Sequence, residues 1–327
     1  MTLIVPNFLD FPAMLAFREE IRSRSEAELD FSQIGFAYPD GMVMLARIIS
    51  DRIEEGAALR AINYENQSYP INMGFFEACR LDIESHPNAP GNANYFPIRR
   101  YSRKDIIRQA EEFKQHPGEV IQSLSRQLST ILIRGKNADI EETISYSMRE
   151  IIRNIIEHSG SEEFLISGQY YPSKGIVEIA MMDKGVGVRE GLSSNPLLSI
   201  SDDYEAISKS LIPGISGKNY RGMEPIAKSE WNNSGFGLYM TSQICRMGGR
   251  FNIGSGSTLL SLLPNYKEVH QFGFQGTFIG MEIRVAELPR LIGLTTRLAR
   301  RGEALAKLIK VQADVEASYA SKFIMED

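Results

Sequence analysis

The chain has 327 residues, 43% of them hydrophobic, with 36 Lys and Arg against 41 Asp and Glu for a net charge of −5. That length suffices for two compact domains, and the slight acidity gives no overall drive toward nucleic acid or an anionic membrane. No apolar run approaches the ~18 residues of a membrane span, and Cys79 and Cys245 match no metal-ligand spacing, so reduced thiols in a cytoplasmic protein are expected.

The opening residues carry Asp10, Arg18, Glu19 and Glu20 too early for a signal peptide. Residues 11–23 have the period of an amphipathic helix, and residues 27–32 read as a short strand. Residues 41–53 read as a second helix with Met42, Leu45, Ala46 and Ile49 inward, residues 58–63 as a strand, and residues 69–79 as a turn and short helix. This alternation predicts a small α/β module over residues 1–85, with helices against one sheet. The run His86-Pro-Asn-Ala-Pro-Gly-Asn-Ala-Asn94 breaks the pattern, and residues 86–100 are expected to be a linker.

The segment Met148-Arg-Glu-Ile-Ile-Arg-Asn-Ile-Ile-Glu-His-Ser159 places Glu150 and Asn154 four residues apart on one helix face, with Met148, Ile151, Ile152, Ile155 and Ile156 on the other. A carboxylate stacked on a carboxamide suits a magnesium–triphosphate site. The amide oxygen can coordinate the metal, and the carboxylate can orient a water or hydroxyl. Two polar residues on a solvated face would look the same. Residues 177–183 read as a buried strand ending in Asp183, which can accept from an exocyclic amine, and Gly185 and Gly187 let the backbone approach a base or phosphate. A long segment follows, containing Pro213-Gly-Ile-Ser-Gly-Lys-Asn-Tyr-Arg-Gly222, whose Lys218 and Arg221 are candidates to neutralise phosphates or are incidental charges on a solvated loop. Asn232-Asn-Ser-Gly-Phe-Gly-Leu-Tyr-Met240 then opens a helix, with Ser234, Gly235, Phe236, Gly237 and Leu238 where free N–H groups can meet an anion. Residues 287–327 read as a helical tail with Leu291, Leu294, Leu298, Leu305, Leu308 and Val315 at helical spacing, packed on its own core or against a partner.

In this order and at these separations, the three segments resemble the asparagine box and the two glycine boxes of the GHKL superfamily, which shares the Bergerat ATP-binding fold. Gly276-Thr-Phe-Ile-Gly-Met-Glu-Ile-Arg284 is similar to the closing strand of that superfamily. The resemblance implies an ATP-binding domain over residues 101–286 with ATP and Mg2+ as cofactors. By that match Glu150 would be the general base, Asn154 the magnesium ligand and Asp183 the acceptor for the adenine amine. Gly185, Gly187, Gly235 and Gly237 would shape pocket and lid, Ser234, Phe236 and Leu238 would accompany them, and Thr277 would lie near the phosphates.

Leu29-Asp-Phe-Ser-Gln-Ile-Gly-Phe-Ala-Tyr-Pro-Asp-Gly-Met42 and Pro70-Ile-Asn-Met-Gly-Phe-Phe76 resemble motifs of STAS domains, the modules that commonly partner GHKL kinases. Where a phosphorylatable STAS domain has Ser or Thr, this chain has Asp40, either a stand-in for phosphoserine or a helix N-cap. The expected fold class is α/β (α+β): an N-terminal STAS-like module, a Bergerat-fold α/β sandwich and a C-terminal helical tail.

Residues 287–327 are too few for the transducer domain of gyrase-type relatives, and His86, His116, His158 and His270 lie in no phosphoacceptor pattern. The expected function is a regulatory ATPase or switch that hydrolyses ATP with Mg2+ to change its contacts with a protein partner or within a homodimer. A protein-serine kinase of anti-sigma-factor type acting on a separate STAS-like partner is the alternative, as is a nucleotide-binding scaffold without turnover.

Overall fold

The computed structural model describes residues 1–83, 94–133, 138–217, 235–287 and 294–309. The first part of the chain runs β1 (Thr2–Ile4), β2 (Phe8–Leu9), α1 (Phe11–Arg22), β3 (Glu26–Asp30), β4 (Phe36–Ala37), α2 (Pro39–Glu54), β5 (Ala58–Ile62), α3 (Ser68–Asn72) and α4 (Phe75–Ala78). Strands β1, β3 and β5 form a parallel sheet in that order, and β2 pairs in parallel with β4. Asp10 caps α1 by accepting from the Ala13 N–H at 2.9 Å, with Pro12 in the first turn where its missing donor costs nothing. The N-cap position of α2 is Tyr38, whose side chain makes no capping hydrogen bond, so Asp40 lies within the first turn and is not the N-cap.

The rest runs β6 (Tyr95–Ser102), α5 (Arg103–Phe113), α6 (Pro117–Ile133), α7 (Ala138–His158), β7 (Glu163–Tyr171), β8 (Ile176–Asp183), α8 (Gly187–Ser193), α9 (Asp203–Ser210), α10 (Gly237–Cys245), β9 (Arg250–Leu262), β10 (Lys267–Arg284) and α11 (Leu294–Ile309). A five-stranded sheet has the order β6-β7-β8-β10-β9 with every neighbouring pair antiparallel. Strand β6 begins at Tyr95, inside the stretch expected to be linker. Pro97 is accommodated because β6 is an edge strand whose register slips between Phe96 and Arg99.

Strand β8 explains the layering. Its alternate residues Val177, Ile179 and Met181 enter one core with Ile121, Leu128, Ile151, Ile152 and Ile155 of α6 and α7. Ala180 and Met182 point the other way and enter a second core with Met42, Leu45 and Ile49 of α2 and with Phe272, Phe274 and Phe278 of β10. A period of two with both faces apolar requires cover on both sides. The helices α6 and α7 supply one cover and the N-terminal part supplies the other, α2 lying on β7 and β8. The architecture is thus mixed α/β with the five-stranded sheet as the middle of three layers.

A smaller cluster joins Tyr146, Phe236, Tyr239 and Met240 to Leu298 and Ala306, so α11 packs on its own chain. Cys79 and Cys245 are free and buried. Among the described residues no helix is long and apolar enough to cross a membrane.

Candidate functional site

A cleft of about 120 Å³ opens between α7, the C-terminal end of β8, the start of α10 and β10. That is room well beyond one water, which needs ~10–15 Å³. Its walls are mostly apolar, including Ile151, Ile155, Met181, Leu192 and Ile279, and its polar groups include Asn154, His158, Asp183 and Thr277. An apolar cleft with a few convergent polar groups is the usual form of a small-molecule site.

Asp183 is the most informative of them. It ends β8 opposite Phe164 and is only 1% exposed. Its Oδ1 accepts from the Gly185 N–H at 2.6 Å, whereas its Oδ2 is buried with no hydrogen-bond partner among the described residues. Burial pushes the carboxyl up to about 6, opposed by the donors of Gly185 and Thr277 and by the charge of Arg47. A buried carboxylate oxygen without a donor costs ~1–3 kcal/mol or more unless a ligand or water supplies one. Arg47, reaching in from α2, donates from Nη1 to the Asp183 carbonyl at 3.0 Å.

Two glycines show why this end of the sheet is built as it is. Gly276 has φ +91°, and a Cβ there would lie 2.1 Å from the Asp183 carbonyl oxygen. Any side chain would therefore drive β10 off the end of β8. Gly237 opens α10 against α7, and a Cβ there would lie 2.6 Å from Glu150 Oε2. Of the other expected site residues, Gly187, Gly235 and Leu238 line the cleft with Gly237 and Thr277. Gly185 packs against the end of α7, its position for a Cβ only 2.1 Å from the Ser159 carbonyl oxygen. Phe236 is fully buried in the cluster beneath α11 and anchors the start of α10 rather than facing the cleft. Lys218, Arg221 and Ser234 lie outside the described residues.

Glu150 and Asn154 share a face of α7 but part company at the cleft. Asn154 lines it. Glu150, 4% exposed, sits behind the first turn of α10, with Arg149 Nη2 at 3.3 Å and Arg153 Nη1 at 3.7 Å from its Oε1. It is absent from the cleft wall.

Ser255 and Arg47 were not marked by the sequence motifs. The Ser255 hydroxyl accepts from the Val188 N–H at 2.8 Å and donates to the Gly276 carbonyl at 3.1 Å, tying α8 to the sheet beside the cleft. Arg47 had a legible signal: it interrupts Met42-Val-Met-Leu-Ala-Arg-Ile-Ile-Ser50, a run buried from end to end. A charge there requires built partners.

A second acidic site lies on the opposite face of the sheet. Asp40 of α2, Glu178 of β8 and Glu282 of β10 converge with Arg250 and Asn252 of β9 around a space of about 10 Å³, enough for one water. Burial pushes Asp40 to about 6 and Glu178 to about 7; Glu282 adds to both shifts, Asp40 adds to that of Glu178, and Arg250 opposes both. The Tyr171 hydroxyl donates to Glu178 Oε2 at 3.1 Å. Asp40 thus faces this chain's own sheet.

Compared with models of known protein families and with curated proteins, the chain matches none of them.

Proposed function

We propose that this chain is a nucleotide-binding protein of GHKL type that takes ATP with Mg2+ in the cleft of Asp183 and uses it as a regulatory switch. The observation that carries the reading is Asp183, which lines a cleft with room for a planar ring and whose buried Oδ2 has no hydrogen-bond partner among the described residues. The exocyclic amine of adenine is the donor it suits, and Met181, Ile155 and Ile279 offer apolar walls for the ring. The start of α10 with Gly235 and Gly237 offers backbone N–H groups and a positive dipole end to phosphates. Among the described residues no three His, Cys, Asp or Glu side chains gather as a metal site, so what these residues offer Mg2+ at the cleft is chiefly the Asn154 amide. That suits a cation which keeps most of its shell as water and phosphate oxygens. Bound there, Mg2+ would neutralise phosphate charge.

A second reading, a nucleotide-responsive scaffold with negligible hydrolysis, is favoured by one observation. Glu150, the residue expected to orient the attacking water, is ion-paired to Arg149 and Arg153 and stands outside the cleft wall.

Calorimetry with MgATP tests the binding, and phosphate release tests the turnover. Asp183→Ala should weaken binding ten- to hundred-fold, the equivalent of ~1.5–3 kcal/mol for a charged hydrogen bond in a buried site. Wild-type affinity in that variant would end the assignment. A switch that hydrolyses should lose phosphate release in Glu150→Ala while keeping affinity; a scaffold should release almost none in either form.

A further inference from the structure

We propose that Arg47 is a positioning residue for the cleft, through which the N-terminal part of the chain sets how tightly the cleft holds its ligand. The inference rests on the nucleotide reading above and adds to it the identity of the regulator, the docked helix α2.

Three residues on one face of α2, spaced by four and three, grip the end of β8. Arg47, 5% exposed, donates to the Asp183 carbonyl at 3.0 Å and through Nε to Asp51 Oδ2 at 2.5 Å. Lys184, the next residue after Asp183, reaches Asp51 Oδ1 and Glu54 Oε2, both at 2.6 Å. The Asp183 carbonyl is also crowded by Gly276, close enough to exclude any Cβ. The carbonyl is therefore bonded by Arg47 and hemmed in by Gly276, and the carboxylate that serves the cleft hangs from the same residue. A turn of a few degrees at that peptide would swing Oδ2 away from its ligand. A buried guanidinium is costly unless its donors are used, and here they are spent on an acid of its own helix and on the backbone of the cleft's central residue.

Arg47 also acts through charge. The charged or titratable groups around Asp183 are Arg47 and Asp51 on α2, Lys184 beside it and His158 across the cleft on α7. Of these, Arg47 exerts the strongest charge effect on Asp183, favouring its ionised form. Loss of the guanidinium would therefore leave the acceptor both less well placed and more often protonated. Binding free energies are reciprocal: if α2 raises affinity in the cleft, a filled cleft must hold α2 more firmly.

The test uses the full chain and MgATP. Calorimetry is run from pH 5 to 8 on wild type, Arg47→Met, Arg47→Lys and Tyr69→Phe. Tyr69→Phe removes a hydrogen bond to Gln169 across the same junction, at the rung of β7 and β8 where Gln169 faces Glu178, far up the ladder from Asp183. Arg47→Met should lose about ten-fold or more in affinity at pH 7, the usual loss with a hydrogen bond to a charged group. Its fall-off toward acid should begin at higher pH than in wild type. Arg47→Lys should recover the pH profile more than the affinity, because it keeps the charge and loses the fork. Tyr69→Phe should match wild type.

A folded Arg47→Met with wild-type affinity and pH profile would overturn the proposal and leave the nucleotide reading standing. Equal losses in Arg47→Met and Tyr69→Phe, with no change of pH profile, would overturn it too, since docking alone would then account for both. If wild type itself binds no ATP, the underlying reading fails. Hydrogen exchange on wild type covers the case in which Arg47→Met does not fold. Saturating MgATP should slow exchange in residues 47–54, and unchanged exchange there would overturn the coupling.

Discussion

The cleft at the end of β8 and the small space behind the same sheet both bury acid, and burial pushes Asp183 of the one and Asp40 and Glu178 of the other up by similar amounts. They differ in room and in company. Asp183 stands in a cleft of about 120 Å³ with an oxygen that nothing among the described residues satisfies. Asp40, Glu178 and Glu282 crowd about 10 Å³ with Arg250 in their midst. A raised carboxyl therefore does not by itself distinguish a site from a packed interface. Room does, since the rear cluster also holds a buried acceptor without a hydrogen-bond partner among the described residues, Asn252 Oδ1.

The sharpest way to break this comparison is Gly276→Ala. A Cβ there meets the Asp183 carbonyl at 2.1 Å and the backbone sits at φ +91°. The expected loss is roughly 3 kcal/mol in urea unfolding, with nucleotide binding lost as well. A variant as stable as wild type would show that the strand end tolerates displacement and that the cleft is not defined there.

Next in size is the pH dependence of the rear cluster. Glu178 is raised to about 7 in the fold, against an ordinary value near 4.5. Its contribution to stability is therefore complete below the ordinary value and is lost as pH rises through about 7. Urea melts should show wild type losing ~2 kcal/mol between pH 5 and pH 8, discounted for the partial exposure of the cluster. Glu178→Gln should flatten that slope. An unchanged slope would mean that the acids behind the sheet titrate as if in water.

The cleft should respond in the opposite sense. Its ligand needs the Asp183 carboxylate ionised, and that group titrates near 6. MgATP affinity should accordingly be about ten-fold weaker at pH 5 than at pH 7. Calorimetry across that range should give a flat profile for Asp183→Asn, and a flat profile in wild type would remove Asp183 from the site.

The smallest effect is expected from Asp40→Asn. The change removes a charge that helps raise Glu178 while giving up a favourable interaction with the α2 dipole, so stability at pH 7 should move by less than ~1 kcal/mol. The midpoint of the rear titration should fall. A changed oligomeric state in light scattering would instead return Asp40 to the role of a partner-facing phosphoserine mimic.

Most local structure was legible because periodicity reports burial directly. The helix expected over residues 11–23 is observed as Phe11–Arg22, and that over residues 41–53 as Pro39–Glu54. The spacing of Asn154 and the strand ending at Asp183 were legible for the same reason, and both residues line one cleft. What periodicity cannot report is which surface supplies the burial. Ala180 and Met182 announced a second apolar face on β8, but nothing in their own strand named α2 as its cover. Glu150 shows the limit most clearly. Helical spacing fixed its face, but not that its carboxylate pairs with the arginines at 149 and 153, neighbours in the same motif, outside the cleft wall.

The double cover of β8 also bears on how the molecule comes apart. Phe272, Phe274, Phe278, Leu165 and Met182 share one core with Met14, Phe17 and Met44, which come from the first quarter of the chain. Lifting that quarter away would bare an aromatic sheet face, so partial unfolding is disfavoured and the structure should melt in a single calorimetric transition. Synthesis inherits the same constraint. The ribosome releases α1 and α2 long before β10 exists to receive them, so their apolar sides must wait, or be shielded, until β10 has emerged.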